Sequence, residues 1–136
     1  MLLPFWLAYC LFPALYLRLP NVEVPSLDLT SFDTSNVTDM ARMFEVFGGS
    51  NLDVTMFDTS KVTDMQFMFC NLNQYSGNMT SVDVSSFDMS NVTNAMGMFD
   101  GCNYLQTIYY RNYSDMLKIK NGLSNYNKDR YTFRQG

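Results

Sequence analysis

Histidine is absent from this chain of 136 residues. That removes the commonest general base and the commonest metal ligand together. Cysteine is scarce. Cys10, Cys70 and Cys102 are odd in number and have no CxxC spacing, which suits neither a disulfide framework nor a zinc site. Cys70 and Cys102 fall two positions out of register in neighbouring repeats, and free thiols are favoured there over a bond. Charged residues make up 16% of the chain and the net charge is −4, so the basic excess of a nucleic-acid binder is missing. No GxSxG, P-loop, HExxH or GxGxxG motif occurs, and with them go the common signatures of hydrolases, NTPases, metalloproteases and dinucleotide enzymes. The chain is therefore expected to be non-catalytic, with no cofactor and no metal.

The length fits one domain, but charge divides it. Residues 111–136 hold six of the nine Lys+Arg, Arg111, Lys118, Lys120, Lys128, Arg130 and Arg134, against two acids. The net charge is −8 over residues 1–110 and +4 over the tail. Met1 to Leu19 is almost wholly apolar, with Arg18 as its only charge. A secretory signal needs a basic region ahead of the apolar run, and Pro4 and Pro13 interrupt a spanning helix. Residues 1–23 are read as a signal- or anchor-like segment, a hydrophobic cap, or a fragment end.

What is present is a repeat. Phe32-Asp33-Thr34-Ser35-Asn36-Val37-Thr38-Asp39-Met40 returns from Phe57 to Met65 and, more loosely, from Phe87 to Ala95. Aligned on the apolar pair that opens each, the copies start at Leu27, Leu52 and Val82, steps of 25 and 30 residues, with a weak fourth copy opening at Ile108. The extra five lie in the polar stretch 71–78, which reads as a loop. Leu27-Asp28-Leu29, Leu52-Asp53-Val54 and Val82-Asp83-Val84 alternate as short strands do. Val37, Met40, Met43 and Phe44, and their equivalents, are spaced three, three and one, which predicts one or two helical turns with one buried face. The six large apolar side chains of one copy cannot offset the cost of ordering its backbone, so neighbours must share burial. The expected fold is α/β: a leucine-rich-repeat-like right-handed solenoid with a short parallel strand and a short helix per ~25 residues. The solenoid occupies 24–110. Residues 111–136 form a Tyr/Asn-rich cap or tail, with a helix expected over Ser114–Leu123 and Ser114 as its N-cap.

This body resembles the BspA-like leucine-rich-repeat family of microbial surface proteins. The likeness rests on Leu27 to Met40 followed by Met43-Phe44, and in the third copy on Met98-Phe99-Asp100-Gly101-Cys102 with Leu105-Gln106-Thr107-Ile108-Tyr109. It implies an extracellular or cell-surface protein, engaged in adhesion or in binding a protein or glycan. The alternative is a structural, self-assembling or truncated repeat block that associates end to end through open strand edges.

Three aspartate columns tempt a calcium reading: Asp28, Asp53 and Asp83; Asp33, Asp58 and Asp88; Asp39, Asp64 and Asn94. Stacked carboxylates ~4.8 Å apart invite a hard cation, but no DxDxDG loop is present; the simpler reading is that the Asp33 and Asp39 columns cap turns and helix ends while the Asp28 column is a solvated outer face. The hydroxyl ranks Thr30, Thr55, Ser85 and Thr38, Thr63, Thr93 raise an ice-binding face, but Met89 breaks the rank begun by Thr34 and Thr59 and the five-residue insertion disturbs the stack; caps, turns and cross-strand bonds suit these residues better. Four Asn-x-Ser/Thr sites start at Asn36, Asn78, Asn91 and Asn112; capping explains them by default. The Tyr/Arg-rich end is the candidate binding surface, with Tyr109, Tyr110, Arg111, Tyr113, Arg130 and Tyr131, because Tyr and Arg are enriched at interfaces.

Overall fold

The computed structural model describes residues 28–73 and 79–136; the apolar segment 1–23, Cys10, Leu27 and most of the insertion loop fall outside them. The ordering force is the repeat itself. Asp39, Asp64 and Asn94 lie in line as successive parallel bridges. From there the amides of Met40, Arg42, Phe44 and Val46 donate to the carbonyls of Asp64, Gln66, Met68 and Cys70 at 2.8–2.9 Å. One copy on, Met65, Phe67, Phe69 and Asn71 donate to Asn94, Met96, Met98 and Asp100 at 2.7–2.9 Å.

The helical turns expected over Val37–Phe44, Val62–Phe69 and Val92–Phe99 are not helices. In a helix every amide turns back along the axis. Here only the alternate amides do, Met43 to Met40, Glu45 to Arg42 and Phe47 to Phe44, while those between reach sideways to the next copy. The switch is made by a left-handed residue at every fourth position: Arg42 (φ 59°) and Val46 (62°), Phe67 (54°) and Asn71 (56°), Gly97 (63°) and Gly101 (72°). Such a residue cancels the curl of its right-handed neighbours. It is costly for a β-branched Val46, and the lateral hydrogen bonds offset that strain.

The sheet is three-stranded, parallel and in register: β1 Ser81–Val84, β2 Thr107–Tyr110 and β3 Thr132–Gln135. Val82 faces Ile108, and Ile108 faces Phe133, so the segment at Ile108 is the middle strand of the sheet. The earlier copies keep the alternation, with Leu52 and Val54 buried around an exposed Asp53, but among the described residues they are not laddered into the sheet. β3 was not foreseen in the tail. The molecule is thus a small α/β unit in which turns, rather than helices, fill the second half of each full copy.

The one helix among the described residues, α1, spans Tyr113–Gly122, one residue ahead of its expected place. Its N-cap is Asn112, whose Oδ1 accepts from the Asp115 amide at 3.0 Å, and Asp115 in the first turn suits the positive end of the helix. α1 lies across the third copy, and the Gly97 amide donates to the Gly122 carbonyl at 2.7 Å. A Cβ at Gly122 would run into the Ala95 carbonyl oxygen, a backbone atom that cannot rotate away. Gly122→Ala is expected to destabilise the chain by about 1–3 kcal/mol, read from the urea midpoint.

Inside, Phe44, Phe69 and Phe99 stack one per copy, with centroids 5.6 and 5.0 Å apart and planes 8° and 11° from parallel. Phe57 and Phe87 pack against this column at 6.1 and 6.3 Å. Met40, Met65, Met68 and Met98 fill the space around it, none more than 1% exposed, as flexible thioethers do in irregular cores.

Candidate functional surface

The polar columns serve the backbone first. Asp28, Asp53 and Asp83 accept the amides of Thr30, Thr55 and Ser85 on Oδ1. Asp33, Asp58 and Asp88 do the same for Ser35, Ser60 and Ser90. Asp39, Asp64 and Asn94 do so for Ala41, Gln66 and Met96. Each is a side chain closing a turn two residues on. The Asp28 column, expected to be merely solvated, also caps. Hydroxyl and amide donors from Thr30, Ser35, Thr55 and Ser60 hold Asp28, Asp33, Asp53 and Asp58 below the usual carboxylate range. In the third column Asn94 donates to Asp64 Oδ2 at 3.1 Å, so an amide replaces what would be a third stacked carboxylate. Threonines tie the copies together. Thr34 Oγ1 accepts the Asp58 amide and donates to the Asp58 carbonyl, and Thr59 does the same with Asp88.

At the far end the tail reaches back. Arg111 binds Asp88 Oδ1 through Nη2 and Asp115 Oδ2 through Nε, both at 2.8 Å. The Asp115 side chain is 4% exposed and takes a further donor from Asn112 Nδ2. The Arg111 guanidinium, with help from the Ser90 hydroxyl and amide, holds Asp88 far below the usual range. Lys118 Nζ donates to the carbonyls of Met89, Ser90 and Val92 at 2.6, 3.0 and 3.1 Å. It sits at the edge of a cleft of about 420 Å³ between α1 and Val92–Met96. Because its donors are already engaged, the cleft offers no free cation from this residue.

Of the six residues expected to bind, the structure separates inner from outer. Tyr131 is buried, and its hydroxyl donates to the Phe99 carbonyl at 2.6 Å; burial pushes its ionisation up. Arg111 is committed to the two aspartates, Arg130 binds the Asn103 carbonyl, and Tyr110 is half-buried with its ring against Phe133. Tyr113 is 67% exposed. Tyr109 alternates with buried Ile108 along β2 and so belongs to the outer sheet face, in a row with Asp83 on β1 and Arg134 on β3. Ser81, Thr107 and Thr132 form the neighbouring row. Asp83 and Arg134 were not among the expected contacts, since only the register of β3 places them beside Tyr109.

Cys70 and Cys102 are both buried and unbonded, and desolvation pushes their thiols up to about 11 and about 12. Among the described residues no group of three His, Cys, Asp or Glu is placed to hold a metal ion, and no helix is long and apolar enough to cross a membrane.

A family model described as "Mycoplasma protein of unknown function, DUF285" matches residues 20–133. No curated protein and no solved structure matches the chain.

Proposed function

Since the chain belongs to the DUF285 family of Mycoplasma proteins, we propose that it is a non-catalytic binding module, secreted or displayed at the cell surface, built as a BspA-like leucine-rich-repeat solenoid. The solenoid reading is supported by the regular hand-over of hydrogen bonds from copy to copy and by a parallel sheet that gains one strand per unit at its far end. The binding reading is supported by one observation above others: Asp83, Tyr109 and Arg134 stand abreast on one sheet face, beside a row of hydroxyls. A tyrosine flanked by opposite charges offers a ring to stack and donors and acceptors on either side. That suits a protein or glycan surface.

The test is a solid-phase screen of the full chain against matrix proteins and glycans, followed by Tyr109→Ala and Arg134→Ala. Tyr109→Ala is expected to weaken the recovered interaction about 10-fold or more while leaving the melting temperature nearly unchanged. Recovery of no ligand at micromolar protein, or equal binding by Tyr109→Ala, rejects the reading. The alternative, self-association, is favoured by β3, which among the described residues is paired on one side only and so presents an open edge. Sedimentation at several concentrations decides it, and a monodisperse monomer excludes assembly.

A further inference from the structure

The hand-over of hydrogen bonds from copy to copy is interrupted at Thr93–Ala95. The Thr38 carbonyl receives the Thr63 amide at 2.8 Å, the Thr63 hydroxyl at 3.1 Å and the Asp64 amide at 3.4 Å. The Thr63 carbonyl receives the same three groups from the third copy: the Thr93 amide at 2.9 Å, its hydroxyl at 3.2 Å and the Asn94 amide at 3.3 Å. Two residues further along each copy, the Met40 amide donates to the Asp64 carbonyl and the Met65 amide to the Asn94 carbonyl. The third copy keeps both groups. Among the described residues, however, nothing donates to the Thr93 carbonyl, and the Ala95 amide meets no acceptor. Both residues line the cleft beside α1.

The interruption is short. On one flank Lys118 donates to the carbonyls of Met89, Ser90 and Val92. On the other, the Gly97 amide reaches the Gly122 carbonyl, as Arg42 and Phe67 reach Gln66 and Met96 in the copies before. The tail thus stands in for a following copy on both flanks, and the groups between them stay open. An open acceptor on Thr93 and an open donor on Ala95 suit an extended backbone lying parallel to Asn94, in the pairing that Asp39 makes with Asp64 and Asp64 with Asn94. A glycan carries no amide and carbonyl at that alternating spacing. The cleft of about 420 Å³ is of the size that small ligands occupy. Its lining holds no acid, and its one cation, Lys118, is engaged. That neutrality fits an uncharged backbone, and the half-exposed Met96 offers an apolar side to it.

We propose that the cleft between α1 and Val92–Met96 captures an extended peptide segment of a partner protein, which adds to the third copy as one further parallel rung. The partner residue in line with Asn94 accepts the Ala95 amide on its carbonyl. The residue ahead of it donates to the Thr93 carbonyl. A threonine or serine is preferred there, because its amide and hydroxyl then reach one carbonyl together, as those of Thr63 and Thr93 do inside the molecule. The Tyr109 surface plays no part in this site, so the two proposals stand or fall separately.

The test is an amide NMR titration of the full isotope-labelled chain with a capped hexapeptide copying Lys61–Gln66. The Ala95 amide resonance is expected to move and to saturate. Methylating the peptide nitrogen at its threonine removes one donor and is expected to weaken binding about 5-fold or more. Asn121 is exposed on the cleft wall, so Asn121→Trp is expected to fill the cleft and abolish binding with the melting temperature nearly unchanged. Tyr109→Ala is expected to bind the peptide as the parent chain does. An Ala95 resonance that stays put at millimolar peptide overturns the proposal, as does equal binding of the methylated peptide or equal binding by Asn121→Trp. Saturation of the same resonance by neutral oligosaccharides and not by the peptide also overturns it, and assigns the cleft to a glycan.

Discussion

Phe69→Ala is expected to cost about 3–5 kcal/mol, read as a lowered urea midpoint by circular dichroism. Phe69 is fully buried and, among the described residues, is the only ring that stacks on both Phe44 and Phe99 while also meeting Phe87. Truncation therefore leaves a hole with rings on three sides, none of which can collapse into it without leaving its own place in the ladder. Against a typical total stability of about 5–15 kcal/mol, the loss brings the chain close to unfolding at ordinary temperature. Met96→Ala in the same region is the control. Its side chain is 50% exposed, and a surface change of this kind is expected to stay within about 0.5 kcal/mol. Similar midpoints for the two variants would show that the phenylalanine column is not the centre of the core.

Arg111→Ala is expected to have the second-largest effect. It strips a buried carboxylate, Asp115, of its only salt-bridge partner among the described residues, and frees Asp88 at the same time. Breaking a fully buried pair costs about 3–5 kcal/mol. Arg111 is 37% exposed and Asn112 still donates to Asp115, so about 2–3 kcal/mol is expected here. Adding Asp115→Asn to Arg111→Ala is expected to restore part of the loss, because the charge left behind is then removed. The pH dependence follows from Asp88, whose folded-state ionisation is depressed chiefly by Arg111 and then by Ser90. A depressed carboxylate contributes its full stability above the unfolded value of 3.8 and loses it as pH falls through the lower folded value. Asp28, Asp33, Asp53 and Asp58 are shifted in the same direction. Urea midpoints are thus expected to be level from neutral pH to about pH 4 as far as these carboxylates go, and to fall below it. Arg111→Ala should show the shallower acid fall, and an unchanged slope would remove Arg111 as the cause.

The register of the repeat was legible in the sequence because Phe57, Val62, Met65 and Phe69 recur with their neighbours in fixed order. The side chains that alternate in and out around Asp53 and Asp83 were legible for the same reason. The backbone between Val62 and Phe69 was not. Its three-three-one spacing suits a helix face as well as a chain of turns. The left-handed residues that decide between them are disguised as Arg42, Val46 and Phe67, and only Asn71 in the second copy and Gly97 and Gly101 in the third betray the position. β3 was hidden because Thr132-Phe133-Arg134-Gln135 offers a single apolar residue, and it is a strand by virtue of its hydrogen bonds to β2. The candidate surface suffered from the same gap. Tyr131 sits among Arg130, Thr132 and Arg134 and looked exposed; it is drawn inside by the Phe99 carbonyl. Arg134 and Asp83 come together only once the strands are in register.

Closure of the far end has a bearing on how such a gene can change length. The threonine that ties each copy to the next, Thr34 and then Thr59, is Met89 in the third copy. The residue beneath α1 is Ala95 where the earlier copies have Met40 and Met65, which lets the helix lie close. The third copy is therefore matched to α1 rather than to another full copy. Slippage that duplicates a 25-residue block between the first two copies inherits matched neighbours on both sides, while a duplication placed after Met89 parts the third copy from its helix. Variation in array length among relatives should accumulate on the side of Asp28 and leave the 89–122 block intact.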